Sequence, residues 1–242
     1  MTSVLEGDRA IVTGASKGIG RATAARLIAD GAIVGTIQRG APPQIGEAAS
    51  LAQDLTDPRA AAAAIEALAE SLGGLDILVC NAGMVHREPA LEVSLDDWER
   101  IVAINLTSVF AQAQAAARIF QRQEGGGRIV LVGSMMSYFG GTNVSSYTAS
   151  KGGIALLTKS LANEWAPLGI RVNAVAPGWT ETPMAAPIMA DPVRNASIVA
   201  RIPVGRWAKP EELAAAIAFL VSPDARYVHG HLLPVNGGYL AR

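Results

Sequence analysis

Apolar residues along this chain fall into two kinds of run. Short continuous ones, such as Ile77-Leu78-Val79-Cys80 and Ile129-Val130-Leu131-Val132, alternate with longer Ala- and Leu-rich stretches of helical spacing. A strand that is apolar at every position, not every second one, is buried on both faces, as when helices cover both sides of a parallel sheet. The spacing predicts strands over 9–13, 32–37, 49–53, 76–80, 128–133, 170–175 and 230–235. It predicts helices over 18–30, 58–72, 95–122, 147–166 and 210–221. The low-complexity run from Ala60 to Ala64 reads as helix, because alanine is the best helix former. Strands and helices in this alternation imply an α/β protein, a doubly wound parallel seven-stranded sheet with helices on both faces.

The pattern fails between Pro177 and Pro203, where Pro183, Pro187 and Pro192 rule out one long helix. An irregular segment after a late strand lies where such sheets bind ligands, beyond the carboxyl ends of the strands. The stretch 178–205 is therefore expected to form a substrate loop. No repeat or linker divides the chain, so residues 1–242 are expected to form a single domain.

Chemistry enters at two places. After the first apolar run comes Gly14-Ala15-Ser16-Lys17-Gly18-Ile19-Gly20, then helical spacing. Strand, glycine-rich turn and helix in that order open a dinucleotide-binding unit of the Rossmann fold. The glycines admit a pyrophosphate to the backbone, and the helix N-terminus attracts its charge. Further on, Tyr147 and Lys151 stand four residues apart, on one face if the segment is helical. An ammonium beside a phenol favours the phenolate and lowers a pKa that starts at about 10, towards proton transfer at neutral pH. The same spacing is common on solvated helix faces, so its meaning rests on context.

Composition narrows the setting. The chain has 242 residues, half of them hydrophobic, which suffices for a sizeable core. A net charge of −1 gives no electrostatic case for nucleic acid or an anionic membrane. No 18-residue uncharged apolar run is present, and the segment Met1–Asp8 is too short and acidic for a secretory leader. Cys80 is the only cysteine, which fits a reducing, cytoplasmic setting. His86, His229 and His231 lack the spacing of a zinc site, so no metal is expected.

Five motifs in order resemble those of the short-chain dehydrogenase/reductase family over nearly the whole chain. They are Thr13–Gly20, Asp54 in Gln53-Asp54-Leu55-Thr56, Asn81-Ala82-Gly83, the set Asn105, Ser134, Tyr147 and Lys151, and Pro177-Gly178 followed by Thr182. Ser134 precedes Tyr147 by thirteen positions, as in the family's tetrad. The resemblance implies hydride transfer between a nicotinamide and a hydroxyl or carbonyl carbon. Tyr147 would exchange the proton, Ser134 would bond the reacting oxygen, Lys151 would hold the ribose, and Asn105 would hold a relay water. It assigns the cofactor to Gly14, Ser16, Lys17, Gly18, Ile19, Gly20, Gln38, Arg39, Asp54, Leu55, Asn81, Ala82, Gly83, Tyr147, Lys151, Pro177, Gly178, Thr180 and Thr182. One departure is Cys80, which stands where the family usually has asparagine; little functional effect is expected.

The second strand ends in Thr36-Ile37-Gln38-Arg39, without the carboxylate that NAD enzymes use on the ribose. Arg39 and Lys17 favour NADP by charge, while the Gln38 amide suits a free ribose diol, so NAD(P) stays open with NADP ahead. Within the family, Asn81–Glu88, Ser134–Gly141, Arg201–Trp207 and Gly237–Arg242 look most like the 2-deoxy-D-gluconate 3-dehydrogenase / 2-keto-3-deoxygluconate oxidoreductase group. That likeness implies a sugar-acid substrate. Arg87 is the candidate for its carboxylate unless Glu88 or Glu92 neutralises it, with Met136, Thr142, Asn143 and Trp179 as further contacts. Two other functions fit the motifs: a 3-oxoacyl-carrier-protein reductase, and a nucleotide-binding scaffold that has lost turnover. The resemblance also implies a homotetramer, with Val109, Ile119, Leu156, Leu157 and Leu161 on the long helices as candidate interface positions.

Overall fold

The computed structural model describes residues 4–241. Met1–Ser3, at the start of the segment read for a leader, and Arg242, the last residue of the C-terminal motif, lie outside the described residues. Seven strands form one parallel sheet: β1 Arg9–Thr13, β2 Ile33–Gln38, β3 Ala49–Ala52, β4 Ile77–Cys80, β5 Gly127–Val132, β6 Ile170–Pro177 and β7 Leu232–Val235. Their order is β3-β2-β1-β4-β5-β6-β7. The continuous apolar runs have the predicted cause. Along β1, Ile11 enters one core, while Ala10 and Val12 enter the other. In β4, Leu78 and the pair Ile77 and Val79 divide in the same way.

Helices α2 (Pro58–Ser71), α4 (Ser108–Gln123) and α5 (Ser145–Trp165) cover the first face with Ile65, Phe120 and Ile154. Helices α1 (Gly18–Ala29) and α8 (Pro210–Val221) cover the second with Leu27, Ile217 and Val221. Local chemistry agrees with these bounds: Asp57 caps α2 by accepting from the Arg59 amide at 2.8 Å, with Pro58 in the first turn.

Two expectations needed correction. The helix predicted over 95–122 is α3 (Leu95–Val102), a π turn at Ala103–Thr107, and then α4. The stretch 178–205 is not a bare loop. It holds α6 (Ala186–Met189) and α7 (Pro192–Val199), each begun by the prolines that forbid a longer helix. Of the candidate interface positions, Val109, Ile119 and Leu161 are buried in the chain's own core and Leu157 packs against it. Leu156 alone is open, at 69% exposure.

The strand order reverses between β1 and β4, the switch point beyond whose carboxyl ends such sheets bind ligands. Every candidate motif sits at that edge.

Candidate active site

The floor of the cleft is built by the ends of β1 and β4. Gly14 has φ +67°, and a Cβ there would lie 2.8 Å from the Ala82 Cα. Thr13 Oγ1 accepts from the amides of Asn81 and Ala82 at 3.2 and 3.3 Å. Asn81 Nδ2 returns two bonds, to the carbonyls of Thr13 and Gly14 at 3.0 and 3.1 Å. Asn81 thus serves as a clamp between two turns. Helix α1 starts with no capping side chain and no acid in its first turn, so its leading amides are open to an anion. Ser16 and Lys17 are exposed on the rim, and Ile19 packs into the core below. A Cβ on Gly18 would lie 3.2 Å from Thr182 Cγ2, so the segment after β6 starts directly over the glycine turn. A Cβ on Gly178 would lie 2.6 Å from Asn236 Cα, and buried Thr180 donates to the Gly178 carbonyl at 3.1 Å. A glycine cradle, open helix amides and no competing carboxylate fit a dinucleotide phosphate.

At the adenine end the residues differ in what they present. Gln38 is 3% exposed, with Nε2 bonded to Ser50 Oγ at 2.7 Å. The amide nitrogen is turned towards β3, and the buried Oε1 has no hydrogen-bond partner among the described residues. Arg39 is exposed and close enough to help hold the Asp54 carboxyl below its usual range, an effect led by hydrogen bonds from Thr56. The Leu55 side chain is buried in the core, which leaves only its backbone for a ligand.

The reacting groups come from β5 and α5. Ser134 ends β5 and caps the turn Met135–Ser137, accepting from the Met136 amide at 3.1 Å. Ser137 completes the arrangement: its Oγ accepts from the Ser134 amide at 3.2 Å and donates to the Lys151 carbonyl at 2.6 Å. This residue, missed in the sequence, ties Ser134 to the helix of Tyr147 and Lys151. The S-x-x-S spacing of a capping box was the available signal.

Tyr147 and Lys151 do share a face of α5, with Nζ 5.8 Å from the ring centroid. The expected electrostatics are overturned. Burial raises the Tyr147 pKa above its ordinary value, although a hydrogen bond with Ser134 and the charge of Arg87 pull it back. Lys151 donates to the Val132 carbonyl at 2.6 Å, and burial brings its own pKa down to about 8. The ammonium is directed at a carbonyl, and the charge that pulls the phenol back towards its ordinary value is that of Arg87. Cys80 lies near Lys151 at the end of β4, its thiol pushed up strongly by burial.

Asn105 sits in the π turn, a form often found at functional sites. Its Oδ1 accepts from the Met84 amide at 2.9 Å, and Nδ2 donates to the Met84 carbonyl at 2.8 Å and to Ser150 Oγ at 3.2 Å. Both amide hydrogens are used, so the Asn105 side chain is a tether that fixes the loop after Gly83 against α5. A Cβ on Gly83 would lie 3.0 Å from Asn105 Oδ1 and 3.7 Å from Lys151 Nζ, which keeps this corner to glycine.

On the substrate side, Arg87 stands in the loop after β4. Glu88 pairs with His86 Nε2 at 2.9 Å, and neither Glu88 nor Glu92 forms an ion pair with Arg87. The Glu88 amide donates to the Asn143 carbonyl at 2.9 Å, joining this loop to the one before α5, where Asn143 has φ +60°. Met136 and Trp179 pack on a small cluster of Met135, Ile202 and Tyr239, and Trp179 meets Trp207 edge-on at 5.2 Å. Thr142 is exposed. No metal site was expected, yet His86, Glu88 and Asp97 bring ligand atoms within 4.8 Å of one another. Asp97 is already bonded to Arg100 and Ser94.

Comparison with known proteins agrees with this geometry. Residues 14–240 match the family model described as Enoyl-(Acyl carrier protein) reductase. The 2-dehydro-3-deoxy-D-gluconate 5-dehydrogenase of Escherichia coli (strain K12) is 42% identical over 98% of this chain and 97% of its own length. A 3-oxoacyl-[acyl-carrier-protein] reductase of Vibrio cholerae is 39% identical over 97% and 98%. Among solved structures, one provisionally described as a 2-deoxy-D-gluconate 3-dehydrogenase, from Agrobacterium tumefaciens and with bound NADP, superposes with a TM-score of 0.94. It is 44% identical and covers 100% of this chain and 99% of that one. With the sheet order, the glycine turn and the Ser134–Tyr147–Lys151 grouping, these matches place the chain in the short-chain dehydrogenase/reductase family, oxidoreductases acting on CH–OH groups.

Proposed function

We propose that this enzyme interconverts a secondary hydroxyl and a ketone on a sugar acid of the 2-deoxygluconate or 2-keto-3-deoxygluconate type. Arg87 carries the reading: it is a cation with no carboxylate of its own, close enough to Tyr147 for each to alter the other's pKa. A guanidinium beside the proton donor has a use when the substrate brings a carboxylate. A 3-oxoacyl thioester brings no charge to that point. A scaffold without turnover has no need of Ser134 held against α5 through Ser137.

The nicotinamide, when bound, supplies or accepts the hydride. Tyr147 passes its hydroxyl proton to the carbonyl oxygen in reduction and takes it back in oxidation. Ser134 Oγ bonds the same oxygen as charge develops on it. Lys151 leaves the Val132 carbonyl to bind the ribose hydroxyls. Gly14, Gly18, Gly20 and the α1 amides would hold the pyrophosphate, with Asn81, Ala82, Gly83, Pro177, Gly178, Thr180 and Thr182 lining the dinucleotide. NADP is the proposed preference, because the second strand ends without a carboxylate while Arg39 and Lys17 are exposed to meet a 2′-phosphate. Asn143, Met136 and Trp179 line the sugar-acid side. We propose a cytoplasmic homotetramer, whose contacts would include the exposed Leu156 and Phe110.

The test is Arg87→Ala, assayed by reduced-nicotinamide absorbance. KM for sugar acids should rise by roughly tenfold or more while uncharged ketones change little. Equal effects on both would remove the carboxylate reading.

A further inference from the structure

Arg194 lies on α7, whose position is set by two anchors. Asn195 Oδ1 accepts from Trp207 Nε1 at 2.8 Å, and Ile198 packs on the cluster of Met135, Ile202 and Tyr239. Met135 directly follows Ser134, so this cluster adjoins the reacting centre. Arg194 and Ile198 are one turn apart and share a face. The face that seats α7 on the cluster therefore also carries a guanidinium.

Arg87 stands on the loop after β4, which the Glu88 amide ties to Asn143 just before α5. The like charges of the two arginines are near enough that Arg194, after burial, helps to lower the Arg87 pKa. Five arginines pair with carboxylates, among them Arg9 with Asp76, Arg128 with Asp8 and Arg206 with Glu212. Among the described residues, neither the Arg87 nor the Arg194 side chain has an ion-pair or hydrogen-bond partner. Two neighbouring guanidiniums without an anion repel each other, and a carboxylate between them turns that repulsion into two charge-assisted attractions.

We propose that Arg87 and Arg194 form a two-sided clamp on the substrate carboxylate, with Arg194 delivered by α7. This rests on the sugar-acid reading and adds the second cation and the element that brings it. One jaw is set by the loop bonded to Asn105 and Asn143. The other rides on a helix none of whose residues is buried, so it can settle onto a ligand without disturbing the core.

The experiment compares the parent with Arg194→Ala, Arg194→Lys and Arg87→Ala. Each is assayed with a 2-keto-3-deoxyhexonate and with an uncharged ketose. In parallel, thermal melts of the NADP-loaded protein are taken with D-gluconate and with D-glucitol. Arg194→Ala should raise KM for the acid about tenfold to a hundredfold and leave KM for the ketose and NADP within about twofold. Arg194→Lys should recover part of that loss, and gluconate but not glucitol should raise the parent's melting temperature more than the variant's. An unchanged acid KM in Arg194→Ala, with a raised one in Arg87→Ala, overturns the clamp and spares the sugar-acid reading. Equal rises for acid and ketose show that Arg194 only supports α7 and also overturn the clamp. No selective effect from either variant takes down both.

Discussion

The cradle for the dinucleotide and the roof over the substrate are built by opposite means. The cradle is shaped by backbone: strand ends buried on both faces and a glycine at φ +67°, fastened by four bonds between Thr13-Gly14 and Asn81-Ala82. The roof, between Gly178 and Trp207, is held by side chains. Only Thr180, Ile188, Ile202 and Trp207 of that stretch are buried, and α7 buries none of its residues. A site whose geometry lies in the backbone recognises what all substrates share, the cofactor. One that hangs on a few side chains can change what it recognises without disturbing the fold.

The largest effect expected from this contrast comes from Gly14→Ala. The new Cβ meets Ala82 Cα at 2.8 Å in a left-handed conformation. Overpacking and strain together should cost about 2–4 kcal/mol. A melting temperature lower by about 5–10 °C, with weakened cofactor binding, is expected at this size. An unchanged melt would show that the cradle is softer than described.

Next is the pH dependence of the unliganded protein. Lys151 has a folded pKa of about 8, lowered from its ordinary value of 10.5, so the unfolded chain binds more protons between those values. Stability from this group therefore rises with pH from about 8 to 10.5, by a few kcal/mol at most. Cys80, raised by burial, acts in the opposite sense. Urea melts at pH 7.5 to 10 should show Lys151→Met losing the rise and keeping the Cys80 decline. Parallel curves for parent and variant would mean that the ammonium is not buried as described.

The smallest is Asn195→Ala, which removes the Trp207 bond at about 1 kcal/mol. A severalfold higher KM for the acid, with little change in melting temperature, is expected from steady-state assays and calorimetry. A large drop in stability would instead make the roof part of the core.

Much of this was legible in the residues. Continuous apolar strands, the glycine turn and the Ser134, Tyr147 and Lys151 spacing led to the sheet and the reacting group, because period and motif are local properties. The π turn at Ala103–Thr107 was not legible. It serves Asn105, whose partners Met84 and Ser150 are 21 and 45 positions away. Nor was the bond from Gln38 Nε2 to Ser50 on the neighbouring strand legible, which depends on the pairing of β2 with β3.

The order of apolar and polar residues was enough to determine a parallel sheet and its covering helices, since burial on two faces leaves a mark at every strand position. Which charges stay unpaired was decided by the tertiary structure alone. Glu88 turns to His86 and leaves Arg87 free, and Asn195 and Ile198 seat α7 so that Arg194 comes near it. Pairing of charge depends on distances between segments that are remote in sequence, and no local pattern carries those distances.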